Sequence, residues 1–163
     1  MKKIILILTL LLMAVLCFGQ NAKEMYNKYS DMKGVTAVYV SPAMFRMIGK
    51  LPSMDMEAKD GEHLDLTPVV KNLSGFYLLE VEKNTPVADQ LSTEIKRMVN
   101  GKKFEMLFEA KEDGDVTRLY TAGGQTISSI ILTTVDEDSL TFMCLEGNMD
   151  RNQLENILAE AAD

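Results

Sequence analysis

The chain has 163 residues, 47% of them apolar, and a formal net charge of −7 from 17 basic and 24 acidic residues. That balance excludes a binder of phosphate backbones, which needs clustered Lys and Arg; after residue 19 the only adjacent basic pairs are Lys96-Arg97 and Lys102-Lys103. With only Cys17 and Cys144, a disulfide-stapled scaffold is excluded as well.

The first nineteen residues read as an export signal. Lys2 and Lys3 precede an apolar run from Ile4 to Phe18, interrupted only by Thr9, and the small Gly19 stands before Gln20. Basic start, apolar middle and small residue at the cut are the three parts of a secretory signal. The run is shorter than the roughly 20 residues a membrane span needs. Polar residues follow without a basic stop-transfer cluster, so the mature chain is expected to hold no transmembrane segment. Cleavage after Gly19 is the working choice. It leaves one α+β domain over 20–163, a net charge of −9 and Cys144 as the single thiol. The alternative is a lipid anchor on Cys17, which ends the apolar run but follows the bulky Leu16 where lipid-attachment boxes carry a small residue.

Met25, Tyr29 and Met32, at i, i+4 and i+7, predict a helix over 22–32 that ends at Gly34. Val35–Val40 (VTAVYV) is rich in β-branched residues and predicts a strand. Ser41-Pro42 predicts a helix start, with Met44, Phe45 and Ile48 as its apolar face. Residues 50–63 are polar and turn-rich and read as a loop, followed by a short helix from Leu66 to Leu73. Gly75 opens a strand over Phe76–Val81. Asn84-Thr85-Pro86 starts a helix whose stripe is Val87, Leu91, Ile95, Met98 and Val99, with Gly101 as its stop.

The period then changes. Phe104, Met106, Phe108 and Ala110 alternate with Glu105, Leu107 and Glu109, and Asp113-Gly114 carries a hairpin signal before Val116–Thr121. Gly123-Gly124 leads into Ile127–Val135, and residues 136–139 turn into Leu140–Leu145. Asp150 with Gln153 resembles a capping box, and Leu154, Ile157, Leu158 and Ala161 mark a last helix. The fold class is therefore α+β: a two-layer domain, a mostly antiparallel sheet with a C-terminal four-strand meander, and helices packed on one face.

Chemistry-bearing residues are sparse. His63 is the only histidine, beside Asp60, Glu62 and Asp65; one histidine without a second His or a well-spaced Cys is not a zinc set. Asn148, Asp150 and Asn152 alternate as calcium ligands do, but a helix cap explains Asp150. Cys144 sits in an apolar string, where the default is a small buried hydrophobe. The remaining methionines, among them Met44, Met47, Met98, Met106 and Met143, suit core gaps. Gly-x-Ser-x-Gly is absent, and the paired carboxylates Asp113/Asp115 and Asp136/Asp138 fall in turns. Glu105 and Glu109 are expected to face Arg118 across two strands. No catalytic, metal or cofactor-binding residue is assigned, and no cofactor is expected.

The blocks GVTAVYVSPAMF (34–45), Phe104-Glu105-Met106-Leu107 and Leu145-Glu146-Gly147-Asn148-Met149-Asp150 resemble domain-of-unknown-function family 4252, short exported proteins of Bacteroidetes. The resemblance covers roughly 22–160. It implies export and a shared fold, and for some members a lipid anchor, a pattern from which Leu16 before Cys17 departs. It supplies no catalytic residues. The expectation is an exported protein, periplasmic or outer-envelope associated. It reads as a non-catalytic interaction or ligand-binding module with an unknown protein or small-molecule partner. The alternatives are an enzyme of unfamiliar type using the acidic/His site at 60–65, and a subunit of an envelope assembly pairing through an exposed edge strand.

Overall fold

The computed structural model describes residues 22–48, 55–57, 63–65, 70–101 and 103–160, and for 55–57, 63–65 and 157–160 the backbone alone. The export signal, Cys17 and Gln20 lie outside the described residues. Chain order is α1 (Ala22–Tyr29), β1 (Val35–Val40), α2 (Pro42–Ile48), β2 (Asp55–Glu57), β3 (His63–Asp65), β4 (Leu73–Glu82), α3 (Pro86–Val99), β5 (Phe104–Glu112), β6 (Asp115–Gly123), β7 (Thr126–Val135), β8 (Ser139–Asp150) and α4 (Arg151–Glu160). Six strands form one antiparallel sheet in the order β1-β4-β8-β7-β6-β5, and β2 pairs with β3 in a separate hairpin. The fold is α+β, and β5–β8 form the expected meander.

Local chemistry sets most boundaries. Thr85 caps α3 by accepting the Ala88 N–H at 3.1 Å, and Pro86 fills the first helical position, where no N–H is needed. Ser41 accepts the Met44 N–H at 3.3 Å before α2, and Asp150 accepts the Gln153 N–H at 3.1 Å before α4. Asp113 and Gly114 both take positive φ, 50° and 97°, which a two-residue hairpin turn between twisted strands requires. Asp136 closes the β7–β8 turn by accepting the Ser139 N–H at 2.6 Å, the Ser139 hydroxyl at 2.8 Å and the Asp138 N–H at 2.8 Å.

The core lies between one sheet face and helices α1 and α3. Leu79, Val81, Ile131, Leu140, Phe142 and Cys144 from the sheet meet Met25, Tyr29, Leu91 and Ile95 from the helices. Glu94 of α3 is buried beside them, and its Oε1 accepts a charge-assisted hydrogen bond from Lys28 Nζ of α1. Phe45, Ile127, Met149 and Thr121 are also buried but stand outside that cluster.

Several expectations need correction. The first helix ends at Tyr29, three residues early, because Ser30 and Met32 turn back onto the Tyr26 and Tyr29 carbonyls towards Gly34, whose φ is +82°. The loop expected over 50–63 contains β2 and the start of β3, paired Asp55 with Asp65, Met56 with Leu64 and Glu57 with His63. Of the helix expected over 66–73, residues 66–69 lie outside the description. Leu73 instead opens β4, which therefore starts before Gly75. β8 runs to Asp150 rather than Leu145. Met44, Met47 and Met106 do not fill the core; they are 48%, 68% and 53% exposed. Composition favours methionine in cores but cannot say which face of an element finds a neighbour.

Candidate functional site

Residues directly opposite across paired strands point to the same sheet face, so the register sorts the sheet into cross-strand rows. One row on the core face is Tyr39–Tyr77–Cys144–Ile131–Tyr120–Met106. The neighbouring row on the opposite face is Val38–Leu78–Met143–Leu132–Leu119–Phe108. All six residues of this second row are apolar. None belongs to the buried cluster: the middle four are half-buried, and the ends, Val38 and Phe108, are 43% and 52% exposed. Strands about 4.8 Å apart give the row a length of about 24 Å. Beside it run Val40, Phe76, Leu145 and Ile130 on one side and a polar row, Thr36, Glu80, Thr141, Thr134 and Thr117, on the other.

The outermost rung depends on an irregularity. Met106 pairs with Tyr120 and Phe108 with Leu119, so Leu107 is an extra residue in β5. Strict alternation would send Met106 and Phe108 to one face. The bulge sends Phe108 to the other, completing the apolar row, and re-aiming a side chain is what a bulge does. It also brings Glu109 opposite Arg118, whose Nε reaches Glu109 Oε2 at 2.7 Å. Glu105 does not share that arginine as expected; it lies 3.8 Å from Arg151 at the start of α4.

At the β1 end of the core face three tyrosines meet. Tyr39 stacks on Tyr77 at 5.2 Å between ring centroids, and Tyr26 of α1 lies 5.9 and 5.8 Å from them. Burial pushes the Tyr77 hydroxyl up to about 12, with the nearby Glu146 carboxylate adding to the shift. Burial likewise pushes up the Cys144 thiol, so the lone described cysteine is an inert core group rather than a nucleophile.

Desolvation also raises the carboxyl of Glu146, and Lys23 offsets only part of that. A carboxyl raised in the fold favours stability below its unfolded value near 4.3 and loses that contribution as pH rises through the folded value. Glu146→Gln is therefore expected to raise the melting temperature at pH 7. The gain should vanish below about pH 4, and thermal unfolding across pH checks it.

The other predicted site residues are not brought together. His63 and Asp65 belong to β3, opposite Glu57 and Asp55, with side chains outside the description. Asp150 is a helix cap, and the Asn148 N–H donates to the Asn72 carbonyl at 3.0 Å, so the calcium-like spacing serves local structure. Asp113, Asp115, Asp136 and Asp138 line a cleft of about 690 Å³ at the turn end of the sheet, with Lys83 among them. Asp136 caps the β7–β8 turn, and Lys83 Nζ donates to the Asp136 carbonyl at 2.6 Å. Among the described residues no group of three or more His, Cys, Asp or Glu could hold a metal ion, and no helix is long and apolar enough to cross a membrane.

No curated protein and no solved structure matches the chain. A family model for a domain of unknown function, DUF4252, matches residues 29–157, which spans β1, the whole six-stranded sheet and most of α4. The chain therefore belongs to the DUF4252 family.

Proposed function

We propose that this protein is a non-catalytic interaction module of the cell envelope, and that its contact surface is the apolar row from Val38 to Phe108. The observation that carries the reading is that row: six apolar residues in register across six strands, left outside the buried core and exposed at both ends. Contiguous apolar surface on a folded chain marks a contact site more often than chance placement does. The apolar run over residues 4–18 supports delivery to the envelope, whether the leader is cut before Gln20 or lipid is attached at Cys17.

Phe108→Lys and Leu132→Lys test the reading against an enzyme using His63 and Asp65. Lysine stems can lie along apolar neighbours with the head in water, so both variants are expected to stay folded. In a host whose own copy is deleted, the two lysine variants should fail to restore the envelope phenotype, while His63→Ala with Asp65→Ala restores it. The reverse pattern, at unchanged melting temperature, would overturn the proposal in favour of the enzyme.

A further inference from the structure

The sheet ends in two edges of opposite character. At one edge, β5 carries Glu105, Glu109, Lys111 and Glu112 and is broken by the Leu107 bulge. Charges and bulges are the means by which sheets discourage edge pairing. At the other edge, β1 has none of them. Val35–Val40 holds no charged residue, glycine or proline, and its register with β4 runs unbroken from Val35↔Val81 to Val40↔Phe76. Among the described residues nothing pairs with its outer side. Val38 and Tyr39 are 43% and 44% exposed there. A flat, apolar and uncharged edge opposite a blunted one is a ready template for strand pairing.

We infer that β1 pairs antiparallel with β1 of a second copy, about a two-fold axis at Val38, to make one continuous twelve-stranded sheet. A two-fold axis perpendicular to the sheet keeps the helices of both copies on one side, so each residue must face one of its own parity. Pairing about Val38 satisfies that rule over five residues. It sets Val38 against Val38, the small Ala37 against the large Tyr39 on the core face, and Thr36 against Val40 on the other. No like charges meet. The same register joins the two Val38–Phe108 rows end to end into a single apolar row, whereas an axis at Ala37 or Tyr39 keeps the faces but sets Val38 against Thr36 or Val40, so the two rows no longer meet. Along β5 the side chains change face at Leu107, which interrupts any self-pairing over the length of the strand.

The pairing does not rest on the apolar row being a docking surface. A monomeric protein whose Phe108→Lys and Leu132→Lys variants lose function would remove this inference and leave the other standing. The test uses the full chain, expressed with its leader in an exporting host and purified as the cell leaves it. Light scattering over a dilution series should give a dimer mass. Val38→Lys puts two ammonium groups face to face on the axis and is expected to weaken the dimer at least about tenfold, with the far-UV circular dichroism of the folded chain retained. Val38→Cys should form a disulfide-linked dimer on mild oxidation, since opposed residues in antiparallel strands lie within disulfide reach, while Thr93→Cys on exposed α3 should not. If Val38→Lys fails to fold, the Val38→Cys cross-link alone decides. A parent that is monomeric at every concentration overturns the inference. So does a dimer that survives Val38→Lys without a Val38→Cys cross-link.

Discussion

Phe142→Ala is expected to lower the unfolding free energy by about 3–5 kcal/mol, the usual result of emptying a fully buried aromatic site. Phe142 has no solvent exposure, lies opposite Leu79 and Thr133, and belongs to the cluster beneath α1 and α3. Phe142 is enclosed between its neighbouring strands and the helices above it, so the site collapses only in part to fill the cavity. Leu132→Ala, on the other face of the same sheet, is expected to cost only about 1 kcal/mol, because a half-buried side chain loses less transfer free energy and leaves no closed void. Urea denaturation of the two variants reads the contrast directly. Equal losses would mean that the Val38–Phe108 row is core, and its role as a contact surface would fall.

Gly123→Ala is expected to cost about 2–5 kcal/mol, combining a backbone conformation that L-residues avoid with overpacking. Gly123 has φ +113° at the end of β6, and a methyl group there would run into the Thr126 carbonyl oxygen and the backbone of Ile127 and Ser128. These are backbone atoms of the β6–β7 turn, so no side chain can swing aside. The pairing shifts at this point, from Ala122↔Ser129 to Gly123↔Ile127. A chain that cannot hold the shift loses the register of β7 against β6. Thermal unfolding checks it, with Gly124→Ala as the control, since a methyl at Gly124 meets nothing within 4 Å.

The elements legible in the sequence were those set by local chemistry. A hydroxyl before proline at Ser41-Pro42 and Thr85-Pro86, a carboxylate three residues before Gln153, and Asp113-Gly114 between alternating runs each act over three or four residues, and each appears in the fold as read. Features set by distant neighbours were not legible. Met44, Met47 and Met106 are exposed because none of the described residues covers them, and no local pattern encodes that. The bulge at Leu107 is set by the register with β6 and reverses the face assigned to Phe108. The apolar row runs across strands far apart in sequence, so no window contains it.

A signal for that row was present nonetheless. Leu78-Leu79, Ile130-Ile131-Leu132 and Phe142–Leu145 are apolar at successive positions rather than alternate ones. Strands that read this way present apolar side chains to both faces, while an alternating strand needs only one covered face. The resemblance to the family was legible from three short blocks, and it fixed a fold group without naming any chemistry.

The central claim, that the Val38–Phe108 row is where this protein meets its partner, is tested most directly by photo-crosslinking in living cells. A photoreactive amino acid is placed at Phe108 or Leu132 and, as controls, at the exposed Asp89 and Thr93 of α3. Discrete cross-linked adducts are expected from positions 108 and 132 and none from 89 and 93. Adducts from the α3 positions alone, or none from either row position in a folded and exported protein, would contradict it.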